Sequence, residues 1–138
     1  MAPLLTVHAL TPLIAAAIAG NAVLAVWAFA AQRRHRRVLG RAFWVLLLLV
    51  LGVLAVQMAA GVLLAVAGAR PKASLHFLYA VLVTAGAVAQ FGLRPGGFLR
   101  AALVRDAAQF SEPRYLALIC FTEAALIARA YMTGAFGH

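Results

Sequence analysis

Four long apolar runs, separated by short polar stretches, occupy nearly the whole chain. A helix needs about 20 apolar residues, at about 1.5 Å each, to cross the hydrocarbon core of a bilayer. The pattern therefore predicts an all-α membrane protein, a bundle of four transmembrane helices that forms a single transmembrane domain over residues 1–138. The predicted helices cover about residues 12–32, 41–68, 75–93 and 114–133.

Capping residues predict where these helices begin and end. Thr11 is suited to be the N-cap of the first helix, with Pro12 at its first helical position. Gly134 is predicted as the residue just past the end of the fourth helix. An alternative start of the first helix near Pro3 would place His8 inside that helix.

The stretch between the third and fourth helices, residues 98–110, mixes large apolar side chains with charged ones. The charged residues are Arg100, Arg105 and Asp106. Such a mixture is typical of a short helix that lies at the membrane interface and extends its arginines toward lipid phosphates. We predict an interfacial helix here, on the cytoplasmic side.

Basic residues are divided unequally among the loops. Short loops rich in Lys and Arg stay cytoplasmic, so the division predicts that both termini face outward. We expect the membrane to be a bacterial inner membrane. The predicted cytoplasmic side carries Arg33, Arg34, Arg36, Arg37, Arg41, Arg94, Arg100, Arg105 and Arg114, whereas the second loop carries Arg70 and Lys72.

Composition agrees with a membrane protein and argues against nucleic-acid binding. Hydrophobic residues make up 66% of the chain, its mean hydropathy is +0.99, and its net charge is +9. This apolar share is far above that of a soluble domain. The basic stretches have no interleaved aromatic residues, as a nucleic-acid site would require. We predict instead that the arginines contact anionic lipids at the cytoplasmic face.

Several enzyme classes lack the residues that they need. Cys120 is the only cysteine, which excludes an internal disulfide and thiolate metal sites. The chain contains neither a His-Glu-x-x-His motif nor a glycine-rich phosphate loop. The protein is therefore expected not to be an enzyme, and we assign no catalytic residues.

Polar side chains inside a bilayer are costly, so each one is a candidate site. Asn21, Gln57 and Glu123 fall within the predicted spans, and Arg129 lies in the outer half of the fourth. Glu123 and Arg129 are six residues apart, about 240° around the helix, and so cannot easily pair. By depth, Asn21 is the nearest polar group to Glu123. A structural role for Asn21, Gln57 and Glu123 in joining helices is the simplest interpretation.

Two histidines, His8 and His76, fall at the predicted outer ends of the odd-numbered helices. Histidines from facing helices can ligate a haem iron in the core of a bundle. The sequence therefore offers them as ligands of a haem b, with Arg129, Arg70 and Lys72 placed to meet the haem propionates. Equally, both histidines could be interfacial residues with no ligand.

The motif Gln57-x-x-x-Gly61, followed by the segment 75–79 with the sequence Leu-His-Phe-Leu-Tyr, resembles part of a known family. It is similar to halves of haem-A-synthase-type and other small cytochrome-b-type four-helix proteins. The resemblance covers about a quarter of the chain and implies that His76 is an axial haem ligand. Those proteins carry their histidines on the second and fourth helices of a half, where this chain has none. His8 as the partner of His76 is our inference rather than a family match.

Three functions therefore fit the sequence. The first is a non-enzymatic accessory or assembly subunit of a respiratory or photosynthetic membrane complex, either as a homo-oligomer or within a larger assembly. The second is a haem b-binding electron-transfer protein that uses His8 and His76. The third is a small proton- or cation-coupled transporter in which Glu123 binds the ion.

Overall fold

The computed structural model describes residue 8, residues 10–103 and residues 110–137. Pro3, Arg105 and Asp106 lie outside these residues. Four helices are long and apolar enough to cross a membrane, which confirms the predicted all-α fold with four spanning helices. The helices are α1 (Thr11–Arg33), α2 (Arg41–Val66), α3 (Leu75–Gly92), α4 (Phe98–Leu103) and α5 (Glu112–Ala135), of which only α4 is too short to span.

The ends of the helices differ from the predicted ones by up to two residues, and two predicted caps are wrong. Leu10, rather than Thr11, is the N-cap of α1, and it is extended. The alternative start near Pro3 lies outside the described residues, and His8 lies outside α1. Helix α5 continues to Ala135, so Gly134 lies within the helix and does not terminate it.

Helix α5 occupies the middle of the bundle. It shares its largest interface with α1 and its next largest with α3, whereas α2 packs mainly on α1. Small side chains let α1 approach its neighbours closely, because Ala17 and Ala28 are completely buried and Gly20 abuts Val50. The contact between α2 and α3 is the weakest among the spanning helices that touch. The bundle therefore has one loosely packed side, between α2 and α3.

A polar clamp holds together the end of the bundle at which α5 begins. Glu112 is 2% exposed, forms an ion pair with Arg100 of α4, and accepts a hydrogen bond of 2.6 Å from the backbone N–H of Leu39. Beside it, the Ser111 hydroxyl donates to Gln32 Oε1 of α1 at 2.6 Å. These contacts fix α4 and the connection between α1 and α2 against the start of α5. A short helix thus exists where the sequence predicts one, and its location at a membrane interface stays a prediction.

Candidate functional site: a histidine pair beside a cavity

The structure brings the two candidate histidines together. His76 is the second residue of α3, and His8 precedes the extended Leu10. Their ring centroids are 6.0 Å apart, and the ring planes are almost perpendicular at 88°. The two rings are thus in contact although His8 lies outside α1.

Each histidine ring is oriented by a backbone carbonyl. His8 Nδ1 lies 3.0 Å from the carbonyl oxygen of Gln57, and His76 Nδ1 lies 2.8 Å from that of Ala130. A carbonyl oxygen only accepts hydrogen bonds, so Nδ1 is the protonated nitrogen in both rings. In a neutral ring with this tautomer, Nε2 carries the lone pair that can bind a metal. Histidines that bind metals are usually held in this way, with the second nitrogen donating to a carbonyl or a carboxylate.

Two glycines make room for the rings. A Cβ atom added at Gly61 of α2 would lie 2.8 Å from His8 Cε1. A Cβ atom added at Gly134 of α5 would lie 2.8 Å from His76 Nδ1. Any larger residue at either position would therefore displace the ring. From the sequence, Gly134 is predicted only as a helix end, and its contact with His76 is not readable there because the histidine comes from another helix.

The rings border a cavity of about 330 Å³ on the loosely packed side of the bundle, between α2 and α3. Its volume falls in the range of small-molecule sites, and its lining is mainly apolar. Ile14, Leu54, Val83 and Ile127 contribute aliphatic side chains. Besides the two histidines, polar groups at its wall include the exposed Arg70 and the half-buried Tyr131.

Arg129 lies elsewhere. Its side chain is exposed, and its guanidinium carbon is 5.7 Å from the centre of the Tyr79 ring, a cation–π contact. It does not line the cavity, whereas Arg70 does. A role of Arg129 beside haem propionates stays a prediction, and the geometry makes Arg70 the better placed cation.

The number of available ligands indicates which metal chemistry fits the pair. Among the residues that the structure describes, no group of three or more His, Cys, Asp or Glu side chains could hold a metal ion. Structural and catalytic zinc sites use three or four protein ligands. Haem iron needs only axial ligands from the protein. With metal–nitrogen bonds of about 2 Å, two imidazoles on opposite sides of one ion have centroids about 6 Å apart. The 6.0 Å between the centroids of His8 and His76 is compatible with that arrangement.

A second polar group lies deeper in the bundle and joins α1 to α3. Asn21 donates from Nδ2 to the carbonyl oxygen of Ala17 at 3.1 Å, and its Oδ1 accepts a 2.7 Å bond from Gln90 Nε2. Gln90 Nε2 also lies 3.4 Å from Cys120 Sγ of α5. Depth alone favoured a contact between Asn21 and Glu123, but the structure pairs Asn21 with Gln90. The partner of Asn21 on the neighbouring helix is therefore Gln90, which the sequence alone did not indicate.

Glu123 and Gln57 are buried without such partners. Glu123 is 1% exposed and its carboxyl group faces Gly86 of α3. Neither of its oxygens has a hydrogen-bond partner in the part of the chain that the structure describes, and the same holds for Gln57 Nε2. Gln57 contributes to the histidine site through its backbone carbonyl rather than through its amide side chain.

Comparison of the chain with models of protein families, with curated proteins and with solved structures finds no match.

Proposed function

We propose that this chain is a haem b-binding electron-transfer protein of a membrane, in which His8 and His76 ligate the iron through Nε2. The observation that carries the proposal is the pair of Nδ1–carbonyl hydrogen bonds, because they leave both Nε2 lone pairs available at a ring separation suited to one metal ion. Bound haem would supply a one-electron redox centre. The protein would supply the axial ligands and an apolar surrounding.

Charge distribution supports an orientation for this site. The histidine pair lies at the end of the bundle near Arg70, and the arginine-rich loops lie at the opposite end. By the rule that basic loops stay cytoplasmic, the site then faces the outer side of a bacterial inner membrane, and α4 rests at the cytoplasmic interface among anionic lipids. Arg70 is placed to meet the haem propionates.

A role as a subunit of a larger membrane complex is the second candidate. In the apolar 18-residue stretch of α3, only 17% is buried within the protein, compared with 28–33% in the corresponding stretches of the other spanning helices. A helix so little covered by its own chain offers its apolar face to lipid or to another protein, including a second copy of this chain. A transporter has less support, since Glu123 does not line the cavity.

Visible absorption spectra of the full chain, purified in mild detergent, test the haem proposal. The oxidised and the dithionite-reduced protein should show the bands of a low-spin haem at one haem per chain. His76→Ala and His8→Ala should each abolish that low-spin spectrum while the protein still inserts into the membrane. His35→Ala is the matched control, because His35 is exposed and far from the cavity-lining residues, and it should leave the spectrum unchanged.

Two outcomes would contradict the haem proposal. One is a colourless protein that stays colourless after reconstitution with haem. The other is an unaltered low-spin spectrum in both histidine variants, which would assign the ligands elsewhere. A subunit role would be tested on the same preparation by its size in native membranes, where a lone monomer would contradict it.

A further inference from the structure

Two buried glutamates on α5 have opposite surroundings. Glu112 is paired with Arg100 and accepts a hydrogen bond from a backbone N–H. Glu123 has neither a cation nor a donor within the residues that the structure describes. A buried carboxylate with no partner is strongly disfavoured in a medium of low polarity. The orphaned oxygens of Glu123 therefore require something that neutralises their charge.

The buried oxygens of Gln90 and Glu123 lack hydrogen-bond donors. The carbonyl of Ala17 fixes the orientation of the Asn21 amide, which in turn fixes that of Gln90. Gln90 Oε1 is then left as a buried acceptor without a donor, as are both oxygens of Glu123. Every unsatisfied atom of this polar group is thus an acceptor. A proton is the smallest species that removes the charge and supplies a donor, and the tight contact with Gly86 leaves little room for a larger cation.

Glu123 shares a face of α5 with the histidine site. Ile127, one turn further along, lines the cavity, and Ala130 accepts the hydrogen bond from His76. Glu123 precedes Ala130 by seven residues, which corresponds to about 10 Å along the helix axis. The carboxyl group and a metal ion bound by His76 would therefore interact across protein and lipid, where charges are poorly screened.

We propose that Glu123 is a proton-binding site linked to the redox state of the histidine-bound haem. The inference rests on the proposed function. When a one-electron reductant such as dithionite converts ferric to ferrous haem, the lost positive charge favours protonation of Glu123. One electron then enters the site, and one proton moves from water to the Glu123 carboxylate, with no other bond made or broken. Oxidation releases the proton.

The rise of about 10 Å along α5 from Glu123 to Ala130 sets the scale of the linkage. Unit charges about 10 Å apart, at the effective dielectric constant of about 20 that suits protein sites, change the proton affinity on the order of tenfold. Coupling between two binding events is reciprocal, so protonation changes the electron affinity by the same factor. As pH rises through the interval in which Glu123 titrates, the midpoint potential should fall. Below that interval both redox forms carry the proton, and the potential is constant.

Other titratable groups must be separated from Glu123. Among the helices that pack against α5, α3 presents Gly86 to the Glu123 carboxyl group, and glycine has no side chain that titrates. Cys120 is the titratable neighbour on α5 itself. The haem propionates near Arg70 would add a pH dependence of their own. Glu123 therefore accounts only for the part of the pH dependence of the midpoint potential that disappears when this residue cannot ionise.

The test compares Glu123→Gln with the wild-type holoprotein and with Cys120→Ala as the matched control. Midpoint potentials are measured from acidic to strongly alkaline pH, and proton uptake on reduction is measured with a pH indicator in weak buffer. Glu123→Gln should keep the low-spin spectrum but lose a pH-dependent segment of the potential and the corresponding proton uptake. Cys120→Ala should behave as the wild type.

A third readout does not need haem. The infrared spectrum of the protein in lipid should contain the carbonyl stretch of a protonated carboxylic acid that is absent from Glu123→Gln. Identical potential–pH profiles and identical proton uptake in the wild type and Glu123→Gln would overturn the proposal, as would the absence of this infrared band. Failure of the proposed function is distinct from either result, because the protein would then show no haem spectrum at any pH.

Discussion

The two ends of the bundle use polar side chains in contrasting ways. At the end where α5 begins, Glu112 has both an ion pair and a backbone hydrogen bond, and the nearby Ser111 hydroxyl is bonded to Gln32. At the opposite end, His8 and His76 each use one nitrogen on a carbonyl and keep the other available beside a cavity. The Glu112 carboxylate and the Ser111 hydroxyl at the first end thus have partners within the protein, whereas the second end leaves capacity for a ligand.

The packing of the helices also differs between the two ends of the bundle. The end with the clamp is filled by large side chains, among them the completely buried Phe43 and Leu47. The end with the histidines contains Gly61 and Gly134, which hold the backbones close to the rings, and a cavity where α2 and α3 separate. A membrane protein of this size thus separates a region that stabilises the fold from a region shaped to bind. Substitutions at the two ends can test this division between a stabilising end and a binding end.

Removing the centre of the clamp should have the largest effect on stability. Glu112→Ala leaves the partly exposed Arg100 guanidinium and the Leu39 N–H without their partner, and losing a hydrogen bond to a charged group costs about 1.5–3 kcal/mol. We expect a fall of that size in the free energy of unfolding, measured by denaturant titration in mixed micelles. Glu112→Gln retains an acceptor and should lose less. Equal stability of the wild type and Glu112→Ala would show that the clamp does not stabilise this end.

Adding one methyl group beside either histidine should impair the site while leaving the fold intact. Gly134→Ala and Gly61→Ala place a Cβ atom within 3 Å of an imidazole, and overpacking of this kind costs about 1–3 kcal/mol. Haem affinity should therefore fall about tenfold or more in a titration of the apoprotein. Gly52→Ala is the matched control on α2, since its added methyl group meets nothing within 4 Å. If all three variants bind haem alike, the rings do not depend on the two glycines.

Replacing the Gln57 side chain should have the smallest effect. The amide Nε2 is buried without a partner in the described part of the chain, and the contact with His8 uses the backbone carbonyl. Gln57→Leu keeps that carbonyl and removes an unsatisfied polar group, so stability should change by less than about 1 kcal/mol. The haem spectrum should be unchanged. Loss of the spectrum in Gln57→Leu would instead assign the amide a direct role at the ligand.

The histidine site shows how far sequence reasoning reaches and where it ends. His8 and His76 could be chosen as candidates because both histidines fall near the same predicted end of the helices. Their mutual distance and the hydrogen bonds of their Nδ1 atoms could not be derived, since these depend on the rotation of α2 and α5 about their axes. For the same reason, the sequence could not show that Arg70 rather than Arg129 lines the cavity. Depth along a helix is readable from sequence, whereas the direction of a side chain around the bundle is not.

The sequence by itself determined the number of spanning helices, their bounds within about two residues, and the location of the polar residues along them. These are local properties, because the cost of exposing a polar backbone or side chain to hydrocarbon acts on each segment separately. Only the tertiary structure decided that Gln90 pairs with Asn21, that Glu123 stays without a partner, and that two glycines frame the histidines. Such contacts join residues far apart in the chain, and they follow from how helices of similar hydrophobicity pack, which apolar runs alone do not specify.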